Sequence, residues 1–429
     1  MTTRNVLVVG TTSDYVDLLQ RSMPDRCVFL TDCRERDAAQ EAPPPPSSEV
    51  LCNFAAEADM LTRLRRHLVE HDIMIEGITC FDCESLLPAA RAARILKIDY
   101  LAEDAVHACR SKYDSKRKWR NAGLPCPRAA LVGDAQETIS FLRAANGPVV
   151  MKPTFGSGSE YIFRCDDEAA CTSAFATIAE ALEKLRRDPE KPLYSRDGLG
   201  ANARHACVAE EHVEGDEYSC DFVIDDDCIK ILRIAKKISL REEGPFGTAL
   251  AYIVPAELPP GLDLESFRRQ LHSAARTLGL RRSICMLDFI VRGGIAVMLE
   301  LTPRPGGDCL PPLLLCSSGF DILHFTVDFA AGRESSAPPP CDWRRLVGLR
   351  LLAHRAGTVT RLDAGALRRD RRVIDVRIKR SPGERISLPP DDYASRILGH
   401  VIFAPSSTDR IGAECSEIVN LLDLEVSAA

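Results

Sequence analysis

Residues 149–160 read VVMKPTFGSGSE, a short apolar run that ends near Lys152 and continues at once into a glycine–serine loop. A strand that delivers a lysine beside a small-residue loop is typical of a phosphate-binding site. In the commonest phosphate loop the lysine closes a Gly-x-x-x-x-Gly-Lys-Ser/Thr motif, whereas here it precedes the glycines, and Gly-x-Gly-x-x-Gly does not occur at this place. The stretch predicts two antiparallel strands around a turn that contacts phosphate groups.

Three other segments with charged residues surround this stretch in a fixed order. Lys112 precedes it inside a predicted helix, and the acidic segment AEEHVEGDEYSCDF follows at residues 209–222. The last segment, LDFIVRGGIAVMLELTPRPGG at residues 287–307, predicts a hairpin that turns on two glycines. Lys112 and Lys152 on separate elements could hold phosphates from opposite sides, because point charges suffice for that contact.

Two carboxylates in the predicted hairpin point to a metal. Asp288 and Glu300 lie on adjacent strands among apolar neighbours, where ionised carboxylates are costly unless a cation pairs with them. Magnesium fits because it uses few carboxylates and takes its other ligands from phosphate oxygens and water. The hairpin therefore predicts a site for magnesium or manganese beside a nucleotide triphosphate. Purely structural carboxylates are the alternative.

Composition places the chain among ordinary globular proteins and limits its partners. With 429 residues, 45% of them hydrophobic and 27% charged, the chain has room for two or three domains. The net charge of −7 argues against general nucleic-acid binding. Residues 341–380 nevertheless hold twelve Lys or Arg against four Asp or Glu, which we interpret as a solvated face. No apolar run approaches the length of a membrane span, so we expect no membrane partner.

Seventeen cysteines are scattered through the predicted strands and helices, and nothing that resembles a secretory signal precedes them. We therefore expect a cytoplasmic protein whose thiols are mostly reduced and partly buried. Cys80 and Cys83 form a C-x-x-C pair without a second pair at zinc-like spacing, so a metal or redox role is the weaker interpretation. No nucleophile motif such as Gly-x-Ser-x-Gly occurs.

The patterns of strands and helices divide the chain into three parts. Residues 1–108 alternate strands with helices, which predicts a doubly wound parallel α/β sheet, although the first turn lacks the dinucleotide-binding fingerprint. Residues 109–334 favour strand pairs and amphipathic helices, with a small lid subdomain at about 125–210. A Pro-rich linker at 335–340 leads to a small mixed α/β unit at 341–429.

In this order, the four segments resemble the ATP-grasp superfamily of carboxylate–amine ligases, most specifically at about residues 109–332. The resemblance implies an ATP-grasp fold of the α/β (α+β) class. A Rossmann-like domain would precede that fold and a small C-terminal domain would follow it, in a biotin carboxylase-like architecture. The residues that the resemblance assigns to ATP are Lys112, Lys152, Gly156, Ser157, Gly158, Ser159, Glu210, Glu211, Val213 and Glu217.

The resemblance also implies particular roles. Backbone groups near Glu211 and Val213 would read the adenine edge, and the Glu217 carboxylate would accept hydrogen bonds from the ribose hydroxyls. Lys236 would point at the phosphates. Arg304 would stabilise the acyl phosphate or the substrate carboxylate through its planar fork. The implied metal ligands are Asp288, Glu300 and Thr302, and the implied substrate-binding residues are Phe246, Arg304, Gly306 and Gly307.

One position departs from the family pattern. Where Glu-x-Asn-Pro-Arg is usual, residues 300–304 read ELTPR, so Thr302 replaces an amide ligand. A hydroxyl can still coordinate magnesium or hold a water, and we expect a second metal ion to bind more weakly. The substitution is the one feature that favours a nucleotide-binding protein without catalysis.

The chemistry implied by the resemblance is that of an ADP-forming C–N ligase. A carboxylate attacks the γ-phosphate of ATP, and an amine then displaces phosphate from the acyl phosphate. The layout is similar to that of L-amino acid ligases, which predicts an L-amino acid among the substrates, and the family suggests a homodimer. A biotin carboxylase-like or purine-pathway enzyme that uses bicarbonate or formate is the alternative. The identity of both substrates stays open, because no single position defines a side-chain pocket.

Overall fold

The computed structural model describes residues 3–187, 207–239, 246–333 and 342–427. The predicted linker at 335–340 lies outside the described residues. No single helix in these ranges is long and apolar enough to cross a membrane. The helices Leu310–Ser318 and Ile322–Ala330 meet the length and composition test only as a pair, and they are bent by 103° relative to each other.

The N-terminal part is a parallel sheet with helices, as its alternating pattern predicts. Its elements are β1 (Thr3–Val9), α1 (Ser13–Ser22), β2 (Cys27–Asp32), α2 (Cys33–Asp37), β3 (Glu49–Cys52), α3 (Glu57–Glu70), β4 (Ile73–Thr79), α4 (Leu86–Leu96) and α5 (Glu103–Arg110). The strand order is β3-β2-β1-β4, and every neighbouring pair is parallel. Strand β1 lies in the interior of the sheet and is buried on both faces, which explains its uninterrupted apolar run.

A small antiparallel sheet follows the N-terminal part. The elements from the connecting helix onward are α6 (Lys112–Asn121), β5 (Ala129–Val132), α7 (Ala135–Ala145), β6 (Val149–Pro153), β7 (Phe163–Cys165), α8 (Glu168–Arg187) and β8 (Cys207–Glu211). The strand order is β5-β8-β6-β7. Strands β6 and β7 are antiparallel on either side of the glycine–serine loop, which confirms that prediction.

Eight antiparallel strands form the central sheet, and the hairpin predicted at residues 287–307 belongs to it. Its strands and the helices between them are β9 (Glu217–Asp225), β10 (Cys228–Ser239), β11 (Ala249–Val254), α9 (Leu264–Thr277), β12 (Arg282–Arg292), β13 (Ile295–Thr302), α10 (Leu310–Ser318), α11 (Ile322–Ala330) and β14 (Leu346–Leu352). Two glycines form the β12–β13 turn at a positive φ, +58° for Gly293 and +76° for Gly294, which a side chain would resist.

Some of the C-terminal strands extend the central sheet, and others form a small separate sheet. Their remaining elements are β15 (Gly357–Asp363), α12 (Gly365–Arg369), β16 (Val373–Ile378), β17 (Arg385–Ile386), β18 (Ile397–Phe403), α13 (Ile411–Val419) and β19 (Asp423–Ser427). The central order is β13-β12-β9-β10-β11-β14-β18-β16, so β14 joins directly to β11. Strands β17, β15 and β19 form a separate three-stranded sheet.

Helix α6 carries Lys112 and is held in place by Trp119. Trp119 is fully buried, and its indole N–H donates to the carbonyl of Ala274 on α9 at 3.1 Å. Ser111 caps the helix by accepting a hydrogen bond from the backbone N–H of Asp114. All sixteen cysteines among the described residues are free, and twelve of them are buried.

Candidate active site

Helix α6 brings two lysines into one polar cluster. Lys112, the first helical residue, donates from Nζ to the carbonyl of Gly156 in the glycine–serine loop at 2.8 Å. Lys116 lies one turn later on the same face of the helix and is fully buried. Its ammonium contacts the Glu210 carboxylate at 3.0 Å and donates to the carbonyl of Leu299. Burial lowers the pKa of Lys116 to about 8.

The strands of the small sheet contribute a second ion pair to this cluster. Lys152 on β6 contacts Glu210 on β8 at 2.8 Å, and both side chains are buried. Val150 pairs with Glu210 across the two strands, so the lysine two residues later lies on the same face. Burial alone raises the pKa of Glu210, but the charges of Lys116 and Lys152 outweigh it and the pKa is lowered. Glu210 thus holds both lysines in place.

The central sheet contributes a lysine that bridges two carboxylates. Lys237 on β10 contacts Glu217 at 2.6 Å and Asp288 at 2.7 Å. The Lys237 side chain is only 12% exposed. Although burial opposes the charged ammonium, the two carboxylates raise the pKa of Lys237 well above its ordinary value. Glu217, assigned to the ribose from the sequence, therefore lies beside one of the assigned metal ligands.

Lys236 lies outside this cluster, contrary to the expectation from the sequence. Its ammonium pairs with Asp216 at 2.6 Å, and the two side chains are 36% and 50% exposed. Successive side chains of a strand point to opposite faces of the sheet, so Lys236 and Lys237 cannot both face the carboxylates. The structure brings Lys237 to the position that the sequence analysis gave to Lys236.

Glu300 directly follows Leu299, whose carbonyl accepts a hydrogen bond from Lys116 of helix α6. It pairs with Asp288 across the β12–β13 hairpin. Burial raises the pKa of Glu300, but the nearby charges of Lys112, Lys116 and Lys152 more than compensate, and the pKa is lowered. Glu300 is therefore held in its ionised form, which is the form of a carboxylate that can bind a metal ion.

The carboxylates of the hairpin fit a divalent cation by their chemistry. Oδ1 of Asp288 is buried without a hydrogen-bond partner, and burial raises the pKa of this residue. Thr302 is buried two residues after Glu300 and therefore lies on the same side of β13. In the described part of the chain, no group of three or more His, Cys, Asp and Glu side chains could hold a metal by itself. Magnesium or manganese would need oxygens from the nucleotide as well.

The glycine–serine loop is tied to three neighbours. Besides the bond from Lys112 to Gly156, Ser157 donates to the carboxylate of Glu84 at 2.7 Å, and Ser159 donates to the carbonyl of Gly247 at 2.9 Å. Gly158 has a φ of +67°, and a Cβ built there meets no atom within 4 Å. A side chain at Gly158 is therefore opposed by the backbone conformation and not by crowding.

The strand expected to read adenine ends in a tightly bonded segment. The backbone N–H of Glu211 donates to the carbonyl of Arg128 at 3.0 Å, and its carboxylate pairs with the Arg128 side chain. Val213 follows two residues after the end of β8 and is partly exposed. Phe246, assigned to the substrate pocket, packs against His212 with ring centroids 5.8 Å apart. Phe246 therefore lies beside the end of the strand that the sequence analysis assigned to adenine.

Arg304 is partly buried and contacts a cysteine of the N-terminal part. Its Nε and one terminal nitrogen donate to Sγ of Cys83 at 3.3 and 3.1 Å, and the other donates to the carbonyl of Pro305 at 2.6 Å. Burial raises the pKa of the Cys83 thiol. The C-x-x-C segment thus supplies a contact that orients the arginine.

A buried ion pair holds the chain that follows Arg304. The backbone N–H of Gly306 donates to Asp221 at 3.0 Å, and Asp221 pairs with Arg233 at 2.8 Å. A Cβ at Gly306 would lie 2.4 Å from a terminal nitrogen of Arg233, so this position requires glycine. Gly307 has more room, since its nearest neighbour would be Arg304 at 3.6 Å.

Arg304 also borders a cavity of about 430 Å³ between β4 and the start of β12. Its wall includes Cys80, Tyr100 and Arg282, but neither Asp288 nor Glu300. The lysine–carboxylate cluster comprises Lys112, Lys116, Lys152, Lys237, Glu210, Glu217, Asp288 and Glu300. The cavity lies beside this cluster and does not contain it.

Sequence reasoning missed several residues of this site. Lys116 could have been found, because it lies four residues after Lys112 and so shares its helix face. Lys237 could be identified only after the register of β10 was known. Glu84, Asp221 and Arg233 belong to no motif that distinguishes them in the sequence. Cys83 belongs to the C-x-x-C pair, but the sequence does not show its contact with Arg304.

Comparison with known proteins agrees with this geometry. Residues 145–312 match the model of a family described as ATP-grasp domain. The whole chain superposes on the crystal structure of an L-amino acid ligase from Bacillus licheniformis, with a TM-score of 0.76, 17% identity and complete coverage of both chains. It also resembles phosphoribosylglycinamide synthetase from Anaerococcus prevotii, with a TM-score of 0.65, 15% identity and 99% and 100% coverage. Residues 145–312 are therefore similar to an ATP-grasp domain, and the chain has the ATP-grasp fold.

The relatives found by sequence comparison match only part of this chain. The chain is 25% identical to a D-alanine–D-alanine ligase of Delftia acidovorans over 238 residues, which are 53% of this chain and 66% of that one. It is 27% identical to carnosine synthase 1 of Homo sapiens over 209 residues, 48% of this chain and 24% of the synthase. The matched regions thus span about two thirds of the ligase and a quarter of the synthase.

Proposed function

We propose that this protein is an ATP-dependent ligase that joins a carboxylate to an amine through an acyl phosphate. An L-amino acid would serve as the carboxylate, the amine or both. The observation that carries the proposal is the cluster in which Lys116 and Lys152 both contact Glu210, while Lys112 contacts Gly156 of the glycine–serine loop. The match to an ATP-grasp domain supports it, as do relatives named as ligases and synthases.

The first step would transfer the γ-phosphoryl group. A carboxylate oxygen of the substrate attacks the γ-phosphorus, the bond to the bridging β–γ oxygen breaks, and ADP leaves. The protein contributes position and charge, because phosphoryl transfer requires little covalent chemistry from it. Lys112 and Lys152 would neutralise the phosphates, and the backbone N–H groups of residues 156–159 would approach them closely. The other proposed nucleotide contacts are Glu210, Glu211, Val213 and Glu217.

Magnesium or manganese would be held by Asp288 and Glu300, with Thr302 as a weaker third ligand. When bound, the ion would neutralise the negative charge of the phosphates. Lys237 touches the same Asp288 carboxylate and would contribute positive charge from the protein itself. Lys237 thus takes the role that the sequence analysis gave to Lys236.

In the second step the amine nitrogen attacks the acyl carbon, a C–N bond forms, and the C–O bond to phosphate breaks. The amine loses a proton and inorganic phosphate leaves. Arg304 would stabilise the negative charge on the acyl group, because its guanidinium keeps a fixed fork of donors. Its contacts to Cys83 and to the carbonyl of Pro305 hold that fork in one orientation.

Nucleotide turnover tests the proposal. The purified protein is mixed with ATP, magnesium and pairs of L-amino acids, and the release of ADP and phosphate is followed together with the formation of an amide product. We expect turnover that needs both substrates. Release that depends on bicarbonate or formate would instead favour the carboxylase or purine-pathway alternative. No release with any of these acids would favour a non-catalytic nucleotide-binding protein.

The remaining expectations from the sequence are part of the proposal. We propose that the partners are small-molecule substrates, without nucleic acid or membrane, and that the protein acts in the cytoplasm. Assembly as a homodimer is proposed from the family alone, and light scattering coupled to size-exclusion chromatography would test it: a monomeric mass would contradict it.

A further inference from the structure

The polar face of the central sheet extends from the lysine–carboxylate cluster into the C-terminal strands. Lys237 pairs with Tyr252 of β11, and the guanidinium of Arg350 on β14 lies 6.0 Å from the centre of the Tyr252 ring. Arg350 pairs in turn with His400 of β18. A continuous row of polar side chains therefore leads away from Asp288 toward residues that the proposed reaction does not yet use.

Arg350 has a carboxylate partner. Its side chain is 15% exposed, and its Nε donates to Asp308. A terminal nitrogen donates to the carbonyl of Ala249 at 3.2 Å. Asp308 is itself anchored, because its carbonyl accepts a hydrogen bond from the hydroxyl of Tyr15 at 3.2 Å. The guanidinium is thus held rigidly in place.

Arg396, just before β18, has no such partner. The residue is 8% exposed, and a terminal nitrogen donates to the hydroxyl of Thr248 at 3.1 Å. Its Nε is buried and makes no hydrogen bond. Among the described residues, no carboxylate lies within ion-pair distance of Arg396. Arg396 and Arg350 donate to consecutive residues, Thr248 and Ala249, so the two guanidinium groups lie in the same region. Burial, together with the charge of Arg350, lowers the pKa of Arg396.

The two arginines border the candidate active site. Thr248, which accepts from Arg396, directly follows Gly247, whose carbonyl accepts from Ser159 of the glycine–serine loop at 2.9 Å. On the other side, Arg350 lies over Tyr252, the cross-strand neighbour of Lys237. The arginine pair therefore lies close to both the glycine–serine loop and the part of the central sheet that carries Lys237.

A buried guanidinium with a free donor costs free energy unless an acceptor reaches it. Arg396 could be a structural residue that packs against Thr248, but its side chain then leaves one buried donor unsatisfied beside a second positive charge. An oxyanion satisfies both guanidinium groups at once, because planar donors match a carboxylate in a bidentate manner.

We propose that Arg396 and Arg350 form a subsite for the carboxylate of the amine substrate. This inference rests on the proposed function and specifies its substrate class: the acceptor is an amino acid or another amine that carries its own acid group. The subsite orients the acceptor by its charged end and leaves its amino group free to attack.

A comparison of acids with amides tests the subsite. ADP release is measured with a panel of L-amino acids as donors and with one acceptor at a time, given as the free acid or as its carboxamide. The wild type should prefer the free acid. Arg396→Met should raise KM for the free acid at least about tenfold, because a hydrogen bond to a charged group is lost, and should leave KM for the carboxamide unchanged.

Matched variants separate this role from folding. Arg396→Lys keeps the charge and should recover part of the affinity. Arg385→Met, at an exposed arginine of the C-terminal strands, should behave as the wild type. Equal use of acid and carboxamide by the wild type would overturn the proposal, as would an unchanged KM in Arg396→Met. If Arg396→Met does not fold, the proposal stands or falls on Arg396→Lys, whose KM for the free acid must then exceed that of the wild type.

A binding measurement keeps the subsite distinguishable from the ligase activity. The thermal unfolding midpoint is measured with an unhydrolysed ATP analogue and the same acceptors. If the wild type releases no ADP with any pair, the proposed ligase function fails. The subsite is then supported when free acids raise the midpoint, carboxamides do not, and Arg396→Met abolishes the difference. It is overturned when acids and carboxamides have the same effect.

Discussion

The lysine–carboxylate cluster and the pair of Arg350 and Arg396 differ in how far their charges are paired within the protein. In the cluster, Lys152 and Lys116 share Glu210, and Lys237 bridges Glu217 and Asp288. In the arginine pair, Arg350 has Asp308, whereas Arg396 has the neutral hydroxyl of Thr248. One region is nearly balanced in charge by the protein alone, and the other carries a positive excess.

This difference indicates what each region is prepared to bind. A balanced cluster keeps its side chains ordered, because each ion pair fixes the position of the next, and it can receive a ligand that brings both phosphates and a cation. A region with excess positive charge is complementary to an anion alone. The cluster is therefore suited to the nucleotide and its metal, and the arginine pair to an organic acid.

The largest expected effect follows from removing a carboxylate of the cluster. Glu300→Ala should lower ADP release at least about a hundredfold, because a site that stabilises charge in the transition state loses its cation. The fold should be retained, as circular dichroism would check. Glu425→Ala, at an exposed residue of β19, is the control and should keep full turnover. Unchanged turnover in Glu300→Ala would contradict the metal assignment and remove the contrast between the two regions.

A smaller effect distinguishes the two neighbouring lysines of β10. Lys237→Met should weaken the binding of an unhydrolysed ATP analogue at least about tenfold, because it removes the charge between Glu217 and Asp288. Lys236→Met should change the affinity less than about twofold, since exposed ion pairs contribute little. Calorimetric titration of both variants measures this difference. Equal losses would contradict the observed register of the strand.

The smallest effect is a pH dependence of stability. Burial lowers the pKa of Lys116 from 10.5 to about 8, so between these values the unfolded chain binds a proton that the folded chain has released. The free energy of unfolding of the wild type, relative to Lys116→Met, should therefore rise as the pH increases from about 8 to about 10.5. Urea denaturation at several pH values measures this slope. A flat or falling difference would show that the cluster does not depress this pKa.

Much of the fold could be predicted from the sequence because its signals are local. The glycine–serine loop between two strands, the two hairpins and the helix that opens at Lys112 each depend on neighbouring residues. The parallel N-terminal sheet follows from its alternating strands and helices. The short strand β3 escaped prediction, because four residues after a run of prolines carry little periodic signal.

The register of β10 explains why Lys237, and not Lys236, contacts Glu217 and Asp288. Cys228 pairs with Asp225 before a bulge between Ile231 and Arg233, and Arg233 pairs with Asp221 after it. The bulge adds one residue to the strand, and one extra residue sends every later side chain to the other face. No residue pattern in this strand predicts the bulge, so the sequence could not show which of Lys236 and Lys237 faces Glu217 and Asp288.

The arginine pair could not be predicted for a different reason. Arg350 belongs to the basic stretch that the sequence analysis interpreted as a solvated face, and many of its neighbours fit that interpretation by pairing at the surface, as Arg361 does with Asp423. Arg396 lies outside that stretch. Only the pairing of β14 with β18 brings the two residues to the same region.

The pairing of β14 with β11 also limits how this protein can be divided. Leu349 of β14 pairs with Ala251, and Val347 pairs with Ile253, so the strands after residue 341 cover an apolar strand that would otherwise offer unpaired backbone groups. A truncation near residue 340 would expose this edge, and exposed edges recruit other chains into aggregates. A chimera that exchanges the carboxy-terminal segment with that of another protein of the ATP-grasp fold must therefore preserve the pairing of β14 with β11.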